Sequence, residues 1–141
     1  MRVLLVDDSP TDQFLAQEVF SEQKFEVDLT LCDSGQEALD YMHRHHGHLP
    51  DVVLLDINMP GMTGFEVLVK IKESPELTHI PVIMLTTSQA ATDIETAYTL
   101  QASSYLIKSP DFGLFLAQIE AFIGFWRGNR FRYSREAERA R

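Results

Sequence analysis

Five short apolar runs, each closed by a polar residue and followed by a stretch of helical spacing, leave this chain few folds to adopt. They are Arg2–Val6, 27–32, Val52–Leu55, 80–85 and Ser104–Ile107. Runs this short, rich in Val, Ile and Leu and bounded by turn residues, read as strands, the central Val52–Leu55 as one buried on both faces. The run 27–32 alternates more than the others, which suits a place near a sheet edge. Helix signals fill the gaps. Ser9-Pro10 gives an N-cap and a proline at the first helical position, opening a helix to about Gln23. Ser34-Gly-Gln-Glu37 is a capping box for a second helix, reaching about His45. Thr63-Gly-Phe-Glu66 opens a third, ending near Ser74-Pro75. A fourth covers about 92–101, and Ser109-Pro110-Asp111 starts a fifth that reaches Trp126.

Strand and helix alternating with short connections predict an α/β fold, a five-stranded parallel sheet with helices on both faces. The flavodoxin-like strand order 2-1-3-4-5 has its switch point between strands 1 and 3, and ligands of such sheets bind outside the carboxyl ends of the strands. Four strand ends there carry reactive groups: Asp7-Asp8, Asp56, Thr86 and Lys108. Three carboxylates in one crevice suppress one another's ionisation unless a cation is present. With Lys108 they sum to −2, which one Mg2+ neutralises, and Mg2+ favours one or two carboxylates with waters and phosphate oxygens. A free oxygen of Asp56 is then placed to attack a phosphoryl donor, forming an aspartyl phosphate. Lys108 and the metal would stabilise the charge on the transferring oxygens, and the Thr86 hydroxyl would donate to the phosphoryl group.

Composition narrows the class. At 141 residues and 45% hydrophobic, the chain can bury one full core. The lone Cys32 has no partner for a disulfide within the chain, and no apolar run is long enough to span a membrane, so the expected place is the cytoplasm. Six arginines against Glu136 and Glu138 make residues 127–141 +4; the chain total is −9, so the preceding body is −13. That acidic body argues against nucleic-acid partners, and the lack of a membrane-length apolar run against a membrane. His43, His45, His46 and His48 crowd the end of the second helix, where they complement its dipole better than they would hold a metal. Phe14 falls on the outer face of the first helix.

These residues together resemble the receiver domain of two-component response regulators, over residues 1–126. The resemblance rests on Asp7-Asp8 after the first strand, Asp56 after the third, Thr86 after the fourth, and Tyr105 and Lys108 on the fifth. It implies that Asp56 is the phosphoacceptor and that Asp7 and Asp8 hold Mg2+ with a backbone carbonyl from Asn58. It also implies that Thr86 and Tyr105 are a pair that reorients on phosphorylation. One departure stands out: Ser109 separates Lys108 from Pro110, where receivers commonly have Lys-Pro, often with a cis bond. A cis bond after Lys108 would be costly without the proline. The Tyr-Leu-Ile-Lys-Ser run, the Phe-Trp pair and the arginine-bearing extension 127–141 are similar to stand-alone regulators that partner phytochrome histidine kinases.

The resemblance implies signalling through protein contacts, with a sensor histidine kinase upstream and a phosphotransfer protein downstream. A homodimer is the remaining expectation. On the fifth helix, Phe112, Phe115, Leu116, Ile119, Ile123 and Trp126 form one stripe, and Leu114, Ala121, Phe122 and Phe125 carry the apolar arc beyond it. The expected interface joins helix four, strand five and helix five with the tail. The competing readings are an unphosphorylated interaction module of this fold and a haloacid-dehalogenase-like phosphatase. The phosphatase would resemble Asp-x-Asp at its nucleophile, whereas this chain has Asp56-Ile-Asn58.

Overall fold

A computed structural model of the chain describes residues 1–21, 27–111, 114–115, 117–122 and 124–125. The chain divides into two units, Met1–Lys108 and Ser109–Arg141. The first contains β1 (Arg2–Val6), α1 (Pro10–Ser21), β2 (Asp28–Cys32), α2 (Gly35–Arg44), β3 (Val52–Leu55), α3 (Gly64–Glu73), β4 (Val82–Thr86), α4 (Ala91–Thr99) and β5 (Ser104–Ile107). The strands form one parallel sheet in the expected order, β2-β1-β3-β4-β5.

Burial follows that order. β3 and β4 are buried along their whole length, while β5, at one edge, is half-buried at every position. β2, at the other edge, buries only Cys32 fully. The core packs Leu4, Val53, Leu55 and Met84 of the sheet against Leu68 and Ile71 of α3 and Met42 of α2. On α1 the inner face is Ala16, Val19 and Phe20, with Leu15 half-buried and Phe14 60% exposed, as its helical position requires.

Caps hold α2 and α3 at their starts. Ser34 accepts from the Glu37 N–H at 3.1 Å and Thr63 from the Glu66 N–H at 3.3 Å. Glu37 returns its carboxylate to the Asp33 N–H, one residue before the position a capping box predicts. α4 differs: its N-cap is Ala90, with no side chain to accept a hydrogen bond. It starts at Ala91 and ends at Thr99, two residues earlier than the sequence predicts, because Gln101 turns into the left-handed region at φ 70°. β4 begins at Val82, since Pro81 has no N–H to donate to the ladder. The expected last turn of α1 lies outside the described residues.

In the second unit, Asp111 starts the helical turns. It accepts from the Leu114 N–H with its carboxylate and from the Phe115 N–H with its carbonyl, both at 2.9 Å. Phe115, Ile119 and Phe122 are buried, whereas Leu114 and Phe125 are 61% and 67% exposed. Phe122 is therefore corrected: its side chain is 8% exposed, so it adds nothing to an exposed apolar arc. Phe112, Leu116, Ile123, Trp126 and the 127–141 extension lie outside the described residues. The Lys108–Ser109 bond is trans.

Candidate functional site

Strand register assembles the site. Val6 pairs with Leu55, so the next residues, Asp7 and Asp56, emerge side by side at the carboxyl end of the sheet. The Asp56 N–H donates to the Val6 carbonyl at 3.0 Å, and the Asp7 N–H to the Cys32 carbonyl at 3.1 Å. Thr86 pairs with Ile107, which delivers Lys108 to the same end, its N–H on the Thr86 carbonyl at 2.8 Å.

Lys108 then gathers the acids. Its Nζ lies 2.5 Å from Asp7 Oδ2, 2.9 Å from Asp12 Oδ2 and 3.3 Å from Asp56 Oδ2. An ammonium has three donors, and three carboxylates take them. The other oxygens are also held: Asp7 Oδ1 accepts from the Ser9 N–H at 2.9 Å, and Asp56 Oδ1 from the Ile57 N–H at 2.8 Å. Burial pushes the Asp7 carboxyl above its ordinary range, against the pull of the Lys108 hydrogen bond. Burial alone would lower Lys108, but hydrogen bonds to Asp7 and Asp12 and the charges of Asp7 and Asp56 hold it well above its usual value. It is a fixed cation at any physiological pH.

Asp7, Asp8 and Asp56 each offer a carboxylate oxygen, and these lie within 4.8 Å of one another. They are the one group of three or more such ligands among the described residues. His43 faces Glu76 at 3.8 Å and His45 stacks on Tyr41. Three hard oxygen donors, unneutralised beyond one lysine, fit a hard divalent cation.

The loop carrying Asp56 is shaped by two glycines. Pro60-Gly61 turns it, with Gly61 at φ 76°, the sign that position i+2 of a type II turn requires. Gly64 opens α3 against Asp56 itself: a Cβ there would stand 2.1 Å from the Asp56 carbonyl oxygen. Asn58 is exposed in that loop, two residues past Asp56.

Across β4 the groups are tied more loosely. Thr86 is fully buried, and its Oγ1 accepts from the Ser88 N–H at 3.3 Å. The Tyr105 hydroxyl donates to the Ser88 carbonyl at 2.9 Å, and Ser88 Oγ donates to Asp93 Oδ2 at 2.6 Å. Ser88 thus joins Thr86, Tyr105 and α4. The sequence reading missed three contributors: Asp12, the linking role of Ser88, and Gly64 beyond its place in a cap. Asp12 carried one weak signal, an acidic residue in the first turn of a helix that begins just after Asp7-Asp8.

Residues 3–120 match the model of the response regulator receiver domain family. The chain belongs to that family. It is 34% identical over 128 residues to the response regulator Rcp1 of Synechocystis sp., covering 88% of this chain and 87% of that one. The crystal structure of the Mn(2+)-bound form of Rcp1 superposes with a TM-score of 0.81 at 33% identity, covering 89% and 93% of the two chains. That of the phosphorylated cyanobacterial phytochrome response regulator RcpA gives 0.85 at 31% identity, covering 91% and 94%. The bacteriophytochrome response regulator AtBRR gives 0.69 at 35% identity, covering 84% and 89%. This receiver is accordingly a two-component signalling protein, and its acidic crevice is the kind of site in which receivers bind a divalent metal. Among its described residues no helix is long and apolar enough to cross a membrane.

Proposed function

We propose that Asp56 accepts a phosphoryl group from a sensor histidine kinase of the phytochrome type, with Mg2+ held by Asp7, Asp8, Asp56 and the Asn58 carbonyl. The observation that supports this most is the register-adjacent pair Asp7 and Asp56, bridged by Lys108. An oxygen of Asp56 attacks phosphorus and forms the new O–P bond. The bond from phosphorus to the donor atom breaks, and its electron pair leaves with the donor. A bound Mg2+ supplies charge neutralisation at the phosphoryl oxygens. Lys108 pairs with one of those oxygens and Thr86 donates its hydroxyl to another, so the receiver assists both its own phosphorylation and the later hydrolysis.

Once Thr86 turns towards the phosphoryl group, it releases the Ser88 N–H, which frees the carbonyl that Tyr105 holds. The states of α4 and β5 then shift in population. The chain's likeness to phytochrome and bacteriophytochrome response regulators supports the kinase assignment. A phosphotransfer protein receives the group downstream, and the protein works in the cytoplasm. The receiver spans 1–126 and 127–141 is a basic extension. A second copy pairs with it, the exposed Leu114 and Phe125 supplying apolar surface.

Incubation with acetyl phosphate and Mg2+ followed by intact-mass measurement tests the acceptor. The wild-type chain gains one phosphoryl group and a folded Asp56→Asn variant gains none; uptake by that variant refutes the assignment. Sedimentation of Leu114→Glu with Phe125→Glu tests the dimer, which the wild type forms at tens of micromolar and the variant does not.

A further inference from the structure

We infer that Asp12 is a positioning residue for phosphoryl transfer: by occupying one donor of Lys108, it competes with the phosphoryl group for that lysine. This rests on the reading that Asp56 is the acceptor.

Lys108 has three N–H donors, and Asp7, Asp12 and Asp56 take all of them. None remains for an incoming phosphoryl oxygen, so one bond must be given up during transfer. Asp7 is the worst candidate for release. Its side chain is 1% exposed, its bond to Lys108 is the shortest, and leaving it unpaired strands a buried charge. Asp56 becomes the phosphorylated group itself and keeps Lys108 nearby. Asp12 is 37% exposed and can turn to water when released. It projects from the first turn of α1, so its release disturbs no strand. The bond to Asp12 is therefore the one that breaks, and its strength sets how readily Lys108 reaches the phosphoryl group.

Asp12 also makes the crevice more acidic. With Asp7, Asp8 and Asp56 it raises the carboxylates to four against Lys108, a sum of −3 that one divalent cation reduces to −1. The residual charge opposes an anionic donor. Charge and hydrogen bond act in the same direction, and different substitutions separate them. Asparagine removes the charge but retains an acceptor for Lys108. Alanine removes both. Glutamate restores both on a longer arm.

The experiment measures the rate of phosphorylation by acetyl phosphate at saturating Mg2+, and beryllofluoride affinity by fluorine NMR, in the wild type and in Asp12→Asn, Asp12→Ala and Asp12→Glu. Asp12→Ala is expected to raise both about three- to tenfold, the modest range of a partly exposed charged pair. Asp12→Asn falls between alanine and wild type, and Asp12→Glu returns most of the way. Urea unfolding of each variant follows any loss of first-turn helix stability, which would not order the rates this way. In a Lys108→Met background, removing Asp12 brings only the smaller gain that charge supplies, so Asp12→Ala and Asp12→Asn become equal there. Equal rates for asparagine and alanine overturn the inference by showing charge alone at work. So does a rate within twofold of wild type for alanine, or an advantage of alanine over asparagine that survives in Lys108→Met. A wild-type chain that takes no phosphoryl group, or an Asp56→Asn chain that takes one, overturns the acceptor reading as well. A normal wild type with indifferent Asp12 variants overturns the inference alone.

Discussion

The two halves of the sheet's carboxyl end are built differently. On the β1–β3 side, β3 is buried along its length and β1 at every residue after Arg2, carboxylate oxygens are held by backbone N–H groups, and Gly64 locks the loop against Asp56. On the β4–β5 side, β4 is as buried as β3, but β5 is half-buried throughout and α4 buries only Ala97. That helix lacks a side-chain cap and ends on a left-handed glutamine. The first half is fixed enough to hold reacting groups in place. In the second, Thr86, Tyr105 and α4 are linked by a few hydrogen bonds through Ser88, which a small free-energy change can rearrange. Precision and responsiveness are thus assigned to different strands of one sheet.

The comparison can be broken most forcefully at Lys108. Replacing it with Met leaves Asp7 and Asp56 facing each other without a cation. Loss of one member of a buried ion pair costs about 3–5 kcal/mol. Urea unfolding in chelator should show that loss, and Mg2+ should restore much of it. A variant as stable as wild type in chelator would mean that the acidic end is not charge-strained. Gly64→Ala comes next. A methyl group 2.1 Å from the Asp56 carbonyl oxygen must displace backbone, with an expected loss of about 1–3 kcal/mol and slower phosphorylation. Unchanged values would show that the Asp56 loop yields as easily as α4 does.

Cys32 probes the fixed side by pH. Burial, with Glu37 and Asp33 nearby, pushes its thiol up from 9.0 to about 12. The folded protein therefore favours the protonated thiol; this stability is complete below pH 9 and is lost as pH rises towards about 12. Between pH 8 and 10 the wild type should lose about 1 kcal/mol more than Cys32→Ala does. Parallel curves for the two proteins would contradict the shift. The smallest effects belong to α4, where Ala90→Ser and Gln101→Gly should each add about 0.5–1 kcal/mol. They should slow amide exchange in α4 without altering it in β3. Exchange in wild-type α4 as slow as in β3 would erase the contrast between the halves.

Much of this was legible from the chain alone. The strands announced themselves because a parallel sheet buries both faces, leaving apolar runs such as Val52–Leu55 with abrupt polar ends. The same logic exposed Asp7, Asp56, Thr86 and Lys108, since every strand end of such a sheet points at one crevice. What stayed hidden depends on distant partners. Asp12 has a role only because Lys108, 96 residues later, arrives at its carboxylate. Gly64 looks like an ordinary second residue of a cap until the Asp56 carbonyl is seen against it. The early end of α4 follows from the backbone of Gln101, a residue with no special preference for that conformation. Phe122 was assigned by helical spacing, which gives direction around an axis but not how wide a face is covered.

The ion pairs of Lys108 have a consequence for how the chain acquires its structure. They close loops of 101, 96 and 52 residues, so none exists until β5 has joined the sheet. A partly folded chain with β1 and β3 docked already brings Asp7 and Asp56 together but has no lysine beside them. Such an intermediate carries bare, mutually repelling carboxylates, and self-repulsion raises its free energy relative to the finished fold. The arrival of β5 relieves that repulsion in one step. The acidic crevice therefore makes assembly more nearly all-or-none, and a divalent cation present during refolding would stabilise the incomplete sheet and soften that cooperativity.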